Sequence, residues 1–461
     1  MIEVVHGWIT TLDGFLWGPP LLILLFGTHI FLTVRTGFMQ RHLWTALKLS
    51  VTKEKGAEGD VSPFAALTTA LAATIGTGNI VGVATAVSLG GPGAVLWMWL
   101  TGVLGTATKY SEALLAVRYR VRTADGTMLG GPMYALENGL GMKWLGMLFA
   151  LFTVIASFGI GNMVQANSIS TMAASNFGVS TQITGVVLMV ITAAVILGGL
   201  QSIARVCEVL VPFMAAAYVL GCAAILVSSS ALIWPAIKLI AASAFSPTAA
   251  GGGFIGASVT MAARYGVARG LFSNESGLGS APIVAAAAQS RNPVRQALVS
   301  ATGTFWDTVV ICALSGLVIV TSIMQDPAKL GSLKGAELTS AAFHQTMPTF
   351  GPAVLTLGLL TFVFSTILGW SYYGERAAEY LWGKRTILPY RILWVLAVYA
   401  GSVFTLNFVW DFSDVANALM AVPNLIALLL LSNVIAADTR RYLTHGSLDD
   451  AFDVPVQQQR T

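Results

Sequence analysis

The chain has 461 residues, is 55% hydrophobic and only 10% charged, and its mean hydropathy is positive. Soluble globular domains carry about 25% charged residues, so an ordinary soluble protein is excluded. The net charge of +4 comes from basic residues that flank apolar segments and form no aromatic-interleaved patch, which argues against a nucleic-acid partner.

Charged side chains are missing from 14–34, 61–108, 144–204, 209–237, 338–374 and 415–437. A bilayer span needs about 20 apolar residues, so several of these gaps hold two spans. Apolar runs bounded by charge, Gly and Pro predict an all-α integral membrane protein of about eleven helices, near 15–34, 64–88, 93–118, 144–177, 181–200, 206–228, 235–270, 296–323, 350–374, 388–410 and 415–437. Ahead of the first lie Glu3, His6 and Asp13 where a cleaved signal would be positive, so that helix is expected to be retained. Residues 39–55, with basic groups among Leu43, Trp44, Leu47 and Leu49, read as an amphipathic helix on the cytoplasmic membrane surface. Cys207, Cys222 and Cys312 lie in apolar stretches without the spacing of a disulfide or metal framework.

Short loops rich in Lys and Arg stay cytoplasmic. Arg35, Arg41, Lys48, Lys53 and Lys55 follow the first helix, which puts the N-terminus outside; alternation then keeps almost every arginine inside and leaves the C-terminus cytoplasmic. Four parts are expected: 1–60, a helix with its surface segment; 61–230 and 231–438, five helices each; and the tail 439–461. An odd number of spans per half inverts the second half, the parity of an inverted-repeat transporter.

Each half opens with an apolar segment interrupted by small residues, Thr74-Ile-Gly-Thr-Gly-Asn79 and Ala249-Ala-Gly-Gly-Gly-Phe254. Gly76 and Gly78 flanking Thr77 invite unwinding, because glycine costs about 1 kcal/mol relative to alanine inside a helix. Unwound backbone offers carbonyls to a cation and half-helix amides to a carboxylate, which together suit a zwitterionic amino acid and sodium. The other reading is close helix packing through small residues. Gly76-Thr-Gly-Asn-Ile-Val-Gly82 is not a dinucleotide fingerprint, since its last glycine is one residue late and no βαβ unit surrounds it.

Asn162, Gln165, Asp307, Ser365 and Thr366 are polar within spans, where such groups face the bundle or a cavity. Asp307 is either a cation ligand, a brace for the broken helices, or a buried acceptor for a neighbouring hydroxyl. Lys109 and Glu112, three apart, read as a structural pair near the cytoplasmic end of their helix. Trp97 and Trp99 read as interfacial anchors, and Trp370, deeper, as a pocket wall or core packing.

Gly90-Gly-Pro-Gly-Ala-Val-Leu-Trp-Met-Trp-Leu-Thr-Gly-Val-Leu-Gly105 resembles the signature of the alanine or glycine:cation symporter family, the sodium:alanine symporters, with Leu96 where Phe is usual. Residues 73–83, 130–134, 161–167 and 270–282 are similar to other family segments. The resemblance spans nearly the whole chain and implies a leucine-transporter-type 5+5 inverted repeat with one extra N-terminal helix. It implies that Thr77, Gly78, Asn79, Gln165, Thr366 and Trp370 surround the amino acid. For sodium, the co-transported ion, it implies carbonyls near Ala72 and Ile75 with the Ser365 and Thr366 hydroxyls; Asp307 is a further candidate for coupling.

The expected function is sodium-coupled symport of alanine or glycine by alternating access, in a bacterial inner or plasma membrane. A proton-coupled carrier is the alternative. A channel would need a repeated filter or charged ring, and an enzyme a catalytic constellation, whereas the histidines at 6, 29, 42, 344 and 445 are scattered along the chain.

Overall fold

The computed structural model describes residues 2–54, 56–246, 258–404, 407–452 and 456–458. Its helices in chain order are α1 (Ile2–Leu16), α2 (Pro19–Arg35), α3 (Leu43–Ser50), α4 (Pro63–Thr74), α5 (Val83–Gly90), α6 (Gly93–Arg118), α7 (Lys143–Phe158), α8 (Val164–Phe177), α9 (Thr181–Ile196), α10 (Gly199–Ser228), α11 (Ser230–Phe245), α12 (Val259–Asn274), α13 (Pro293–Thr304), α14 (Ala313–Gln325), α15 (Gly335–Thr346), α16 (Phe350–Trp382), α17 (Ile387–Val403), α18 (Asn407–Leu430) and α19 (Ser432–Arg440).

Among the described residues seven helical stretches are long and apolar enough to cross a bilayer, and an eighth is the bent pair formed by α4 and Gly78–Gly90. The other three expected crossings correspond to α6, α9, and α11 with α12. Residues 235–270, read as one helix, form two, and the Ala249–Phe254 interruption lies outside the described residues. The first helix starts well before residue 15, with α1 meeting α2 at Gly18. The surface segment at 39–55 is helical over Met39–Ser50, with Trp44 exposed.

Local chemistry explains the ends nearest the site. Ser62 caps α4 by accepting the Ala65 N–H at 3.0 Å, with Pro63 in the first turn, and Ser258 caps α12 by accepting from Met261. Among the described residues five π-helical turns occur, at Gly78–Gly82, Ala135–Gly139, Gly159–Met163, Phe305–Cys312 and Arg441–His445, and the first, third and fourth carry polar residues of interest. Such insertions are frequent at functional sites.

The helices pack in two groups. In one, α6 lies along α12 and α13, and α5 lies along α12; in the other, α7 packs against α16 and α18, and α9 against α17. Helix α4 bridges them, touching α13 of the first group and α16 of the second. At the arginine-rich end, β1 (Val121–Arg122) pairs antiparallel with β2 (Met128–Leu129) and parallel with β3 (Gln457–Gln458). There the buried Arg120 guanidinium donates to the carbonyls of Ala286, Ala288 and Glu58, tying three loops together.

Candidate functional site

The chain leaves the helix at Ile75, whose ψ of 100° is extended, and re-enters it at Thr77, so that α4 and the Gly78–Gly90 stretch meet at 56°. A bend of this kind leaves carbonyls of the first half and amides of the second without helical partners. Opposite the carbonyl end runs α16. The Ser365 hydroxyl lies 3.2 Å from the Ala72 carbonyl oxygen, and the Thr366 hydroxyl 3.4 Å from that of Ile75. Each hydroxyl also donates to the Phe362 carbonyl of its own helix, at 2.8 and 2.9 Å, so two buried hydroxyl–carbonyl pairs join α16 to the end of α4, all four oxygens neutral and of the kind that a hard cation takes. Gly76 is required for this approach, since a Cβ there would stand 2.9 Å from Thr366 Oγ1. Gly78 faces the end of α12, where a Cβ would meet Phe272 and Ser273 at 3.4 Å.

Asn79 is fully buried and works as a brace. Its Oδ1 accepts from the Gly76 N–H at 2.9 Å, and its Nδ2 donates to the Asp307 carboxylate at 2.7 Å and to the Asp307 carbonyl at 3.2 Å. Asp307 in turn accepts from Ser273 at 3.0 Å and from Thr308 at 2.6 Å. One carboxylate thus holds the break, the end of α12 and its own π turn in register. Of the three readings the sequence leaves open for Asp307, this geometry combines the brace, through Asn79, with the acceptor of neighbouring hydroxyls, through Ser273 and Thr308.

Gln165 and Asn162 differ from Asn79. Each donates its amide to a backbone carbonyl, Gln165 to Ile160 at 2.8 Å and Asn162 to Trp394 at 2.9 Å. Each keeps a buried amide oxygen without a hydrogen-bond partner among the described residues, an arrangement that costs about 1–3 kcal/mol unless something donates to it. Trp370, 1% exposed, sits one turn beyond Thr366; its side chain packs against Gly161, where a Cβ would stand 2.4 Å from the Trp370 Cβ and 2.5 Å from the first ring atom, and its ring crosses Tyr373 edge-on at 5.6 Å. Its indole N–H donates to Glu275 at 3.2 Å. Thr77 lines a cavity of about 440 Å³ that runs between α8, α15 and α16 past Asn167, Met172, Thr339 and Val363.

The structure thus pairs Ala72 with Ser365 and Ile75 with Thr366 across α4 and α16, and sets Thr77, Gly78 and Asn79 on the break, with Asp307 bonded to Asn79 from its own π turn. Gln165 comes from α8, and Trp370 from α16, one turn beyond Thr366. Lys109 and Glu112 do not form a pair: Glu112 Oε1 accepts from the Gly277 and Gly279 amides and from Asn424 at 3.0, 3.1 and 2.7 Å, while the buried Lys109 ammonium has no hydrogen-bond partner among the described residues. Trp97 is likewise more than an anchor, its N–H donating to the Ala244 carbonyl at 3.0 Å. Glu275, in the left-handed conformation at the end of α12 (φ 54°) and only 5% exposed, was not readable as a site residue. Its sole signal is an acid inside the segment 270–282, which local spacing cannot connect to a tryptophan 95 positions away.

Comparison with known proteins places these features in context. The model of the sodium:alanine symporter family matches residues 2–452. The sodium/alanine symporter AgcS of Methanococcus maripaludis is 53% identical over 441 residues, covering 94% of this chain and 96% of that one. A probable sodium/glutamine symporter, GlnT of Bacillus subtilis, is 36% identical, covering 96% and 91%. Among solved structures, MhsT in complex with L-phenylalanine superposes with a TM-score of 0.57 at 14% identity, covering 84% of this chain and 94% of that chain. A sodium-coupled sialic acid symporter superposes at 0.50 and 11% identity, covering 92% and 85%. At these identities the structural likeness speaks for the fold alone, that of the leucine-transporter-type carriers.

Proposed function

Because the chain belongs to the sodium:alanine symporter family, we propose that it carries alanine or glycine inward with sodium, chemically unchanged, by alternating access. The observation that carries this reading is the pairing of the Ala72 and Ile75 carbonyls with the Ser365 and Thr366 hydroxyls at the break. Sodium held there joins α4 to α16 and so links the two packing groups. The amides at the start of the Gly78–Gly90 half-helix receive the solute carboxylate, as half-helix N-termini do for anionic groups. The unpartnered Gln165 amide oxygen accepts from the ammonium, Thr77 and Gly78 line the backbone side, and Trp370 closes the side-chain end. Asn79 and Asp307 hold the frame. Relatives named for alanine and for glutamine are both similar to this chain over nearly its whole length, so the wall residues set the solute.

In this reading the chain crosses the membrane eleven times, with 61–230 and 231–438 as the inverted halves, the N-terminus outside and the C-terminus in the cytoplasm. The deciding experiment is uptake of labelled alanine into proteoliposomes under imposed sodium or proton gradients, with saturable counterflow as a second readout. Accumulation driven by sodium is expected, and mass spectrometry should recover alanine intact. Flux without saturation would point to a channel, and uptake driven by protons alone would move the coupling away from sodium.

A further inference from the structure

Behind the site lies a buried cluster of ionisable groups that the transport reading leaves unused. Lys109 and Glu112 reach it from α6, His29 from α2, Glu275 from the end of α12 and Asp307 from the π turn after α13; Tyr373 of α16 stands on the far side of Trp370. Hydrogen bonds tie them to one another: Thr108, next to Lys109, holds His29; Glu112 accepts from the Gly277 and Gly279 amides just after Glu275; and Ser273, two residues before Glu275, donates to Asp307. Three of these side chains carry a buried polar atom with no hydrogen-bond partner among the described residues, namely His29 Nε2, Lys109 Nζ and Glu112 Oε2. His29 is held by Thr108 at 2.7 Å through its other nitrogen. A small void lined by Lys109, Thr74, Asn274 and Ser300 adjoins the ammonium and has the size of about one water molecule.

One ammonium faces three carboxylates, so with histidine neutral two negative charges stay uncompensated in the membrane interior. Buried charge without a partner is costly enough that the group neutralises instead. A zwitterionic amino acid adds no net charge, whereas one sodium ion brings one positive charge, the same change in net charge that one bound proton makes.

The donors around each carboxylate decide which one takes up a proton. Asp307 accepts from Asn79, Ser273 and Thr308, and one oxygen of Glu112 accepts three N–H groups, so each of these carboxylates has three donors that favour its charged form. Glu275 has a single donor on each oxygen, the Trp370 indole at 3.2 Å and the Ser280 hydroxyl at 2.5 Å. A hydroxyl can turn and accept, so Ser280 suits a protonated as well as an ionised Glu275.

From this geometry we propose that Glu275 is a proton site linked to sodium: it is protonated in the sodium-free carrier and releases its proton when sodium binds between α4 and α16. The inference rests on the sodium-symport reading above. The proton moves from the Glu275 carboxyl to water, no covalent bond changes, and the arriving sodium charge takes over the compensation. Ionised Glu275 then makes a charge-assisted bond to the Trp370 N–H, stronger than the neutral one. This bond joins the end of α12, in one packing group, to α16 in the other, so sodium binding tightens the contact across which the two groups rock. Linkage is reciprocal: sodium promotes ionisation, and protons must weaken sodium binding.

The test uses the full chain in lipid nanodiscs. Sodium affinity is titrated at several pH values for the parent and for Glu275→Gln, which keeps an oxygen for Trp370 and removes the charge. For the parent, the sodium Kd is expected to rise as pH falls, by up to about tenfold per pH unit for one exchanged proton. Addition of sodium to the weakly buffered parent should also release protons, read with an indicator dye. In Glu275→Gln both effects should disappear. A parent whose sodium Kd ignores pH and which releases no proton overturns the proposal, whether or not the variant folds. PH dependence that persists in a folded Glu275→Gln assigns the proton to His29, Lys109, Glu112, Asp307 or Tyr373 instead and equally overturns it. Sodium-driven alanine uptake in the same preparation keeps the two readings apart: its absence removes the symport reading, while its presence with pH-independent sodium binding removes only this one.

Discussion

Single residues near the break divide into those that hold the frame and those with spare hydrogen-bonding capacity, and the two kinds should respond differently to substitution. Gln165→Ala removes the unpartnered oxygen and is expected to weaken alanine binding by about 1–3 kcal/mol while leaving the melting temperature close to the parent's; unchanged affinity in a folded variant would remove Gln165 from the pocket. Asn79→Ala strips donors from Asp307 and the acceptor from the Gly76 N–H, so alanine binding, sodium binding and thermal stability should fall together. Asp307→Asn conserves shape and removes charge, and is expected to shift the sodium titration more than the range of accepted solutes; the parent's titration in a folded variant would leave Asp307 purely structural. Trp370→Ala should admit valine or leucine while binding alanine less tightly, because contact area is lost and the wall opens. A variant destabilised by about 3–5 kcal/mol that still excludes leucine would make Trp370 core packing. Asp307 was legible because an acid within an apolar run stands out. Its partnership with Asn79 was not, since 228 positions separate them and only folding brings them within 2.7 Å. His29 and Glu275 escaped for the same reason: each looks isolated in sequence.

At the scale of elements, glycine and charge were informative in unequal measure. Gly76 and Gly78 located the break, because two residues of low helix propensity around Thr77 leave little to hold the ladder there. Charge misled at the end of α16, which was expected to stop at residue 374 and instead runs to Trp382. The charges that seemed to bound the span neutralise one another: Arg376 pairs with Glu375 and Glu379, and Arg391 of α17 pairs with Glu375 at 2.5 Å. The π turn at Gly159–Met163 was invisible to a 3.6-residue period, yet it brings Gly161 against the Trp370 side chain. Gly161→Ala therefore overpacks that contact, and a loss of about 1–3 kcal/mol in stability is expected, with weaker alanine binding read in the same melting and binding series. A variant with the parent's melting curve would show that the side chain moves aside freely.

For the whole molecule, the alternation of arginines argued for one orientation, and the fold gathers many of those arginines at a single end. Arg120 holds three loop carbonyls there, Arg291 and Arg295 both pair with Glu54, and Arg295 also reaches Asp449 at 2.7 Å. This arginine-rich end is expected to face the cytoplasm, and reporter fusions after Thr461 active only in the periplasm would contradict that. The division into two packing groups was beyond sequence reading, since parity of spans predicts an inverted repeat but says nothing of which helices adhere. Hydropathy also could not separate α11 from α12, because composition stays apolar and small through the connecting stretch.

The close approach of α4 and α16 at Gly76 has a consequence for which ions the carrier accepts. The candidate ligands are neutral oxygens, which by charge alone treat sodium and potassium alike. Their separation is set by how near the two helices stand, and a single missing methyl group permits that nearness. A larger ion needs the oxygens further apart, and spreading them means parting packed helices at a cost the smaller ion does not incur. Discrimination by ionic radius is then a property of helix spacing, tunable without touching any ligand. Gly76→Ala should widen the gap and narrow the preference for sodium over potassium in alanine uptake, and an unaltered preference in a transport-competent variant would place the selection elsewhere.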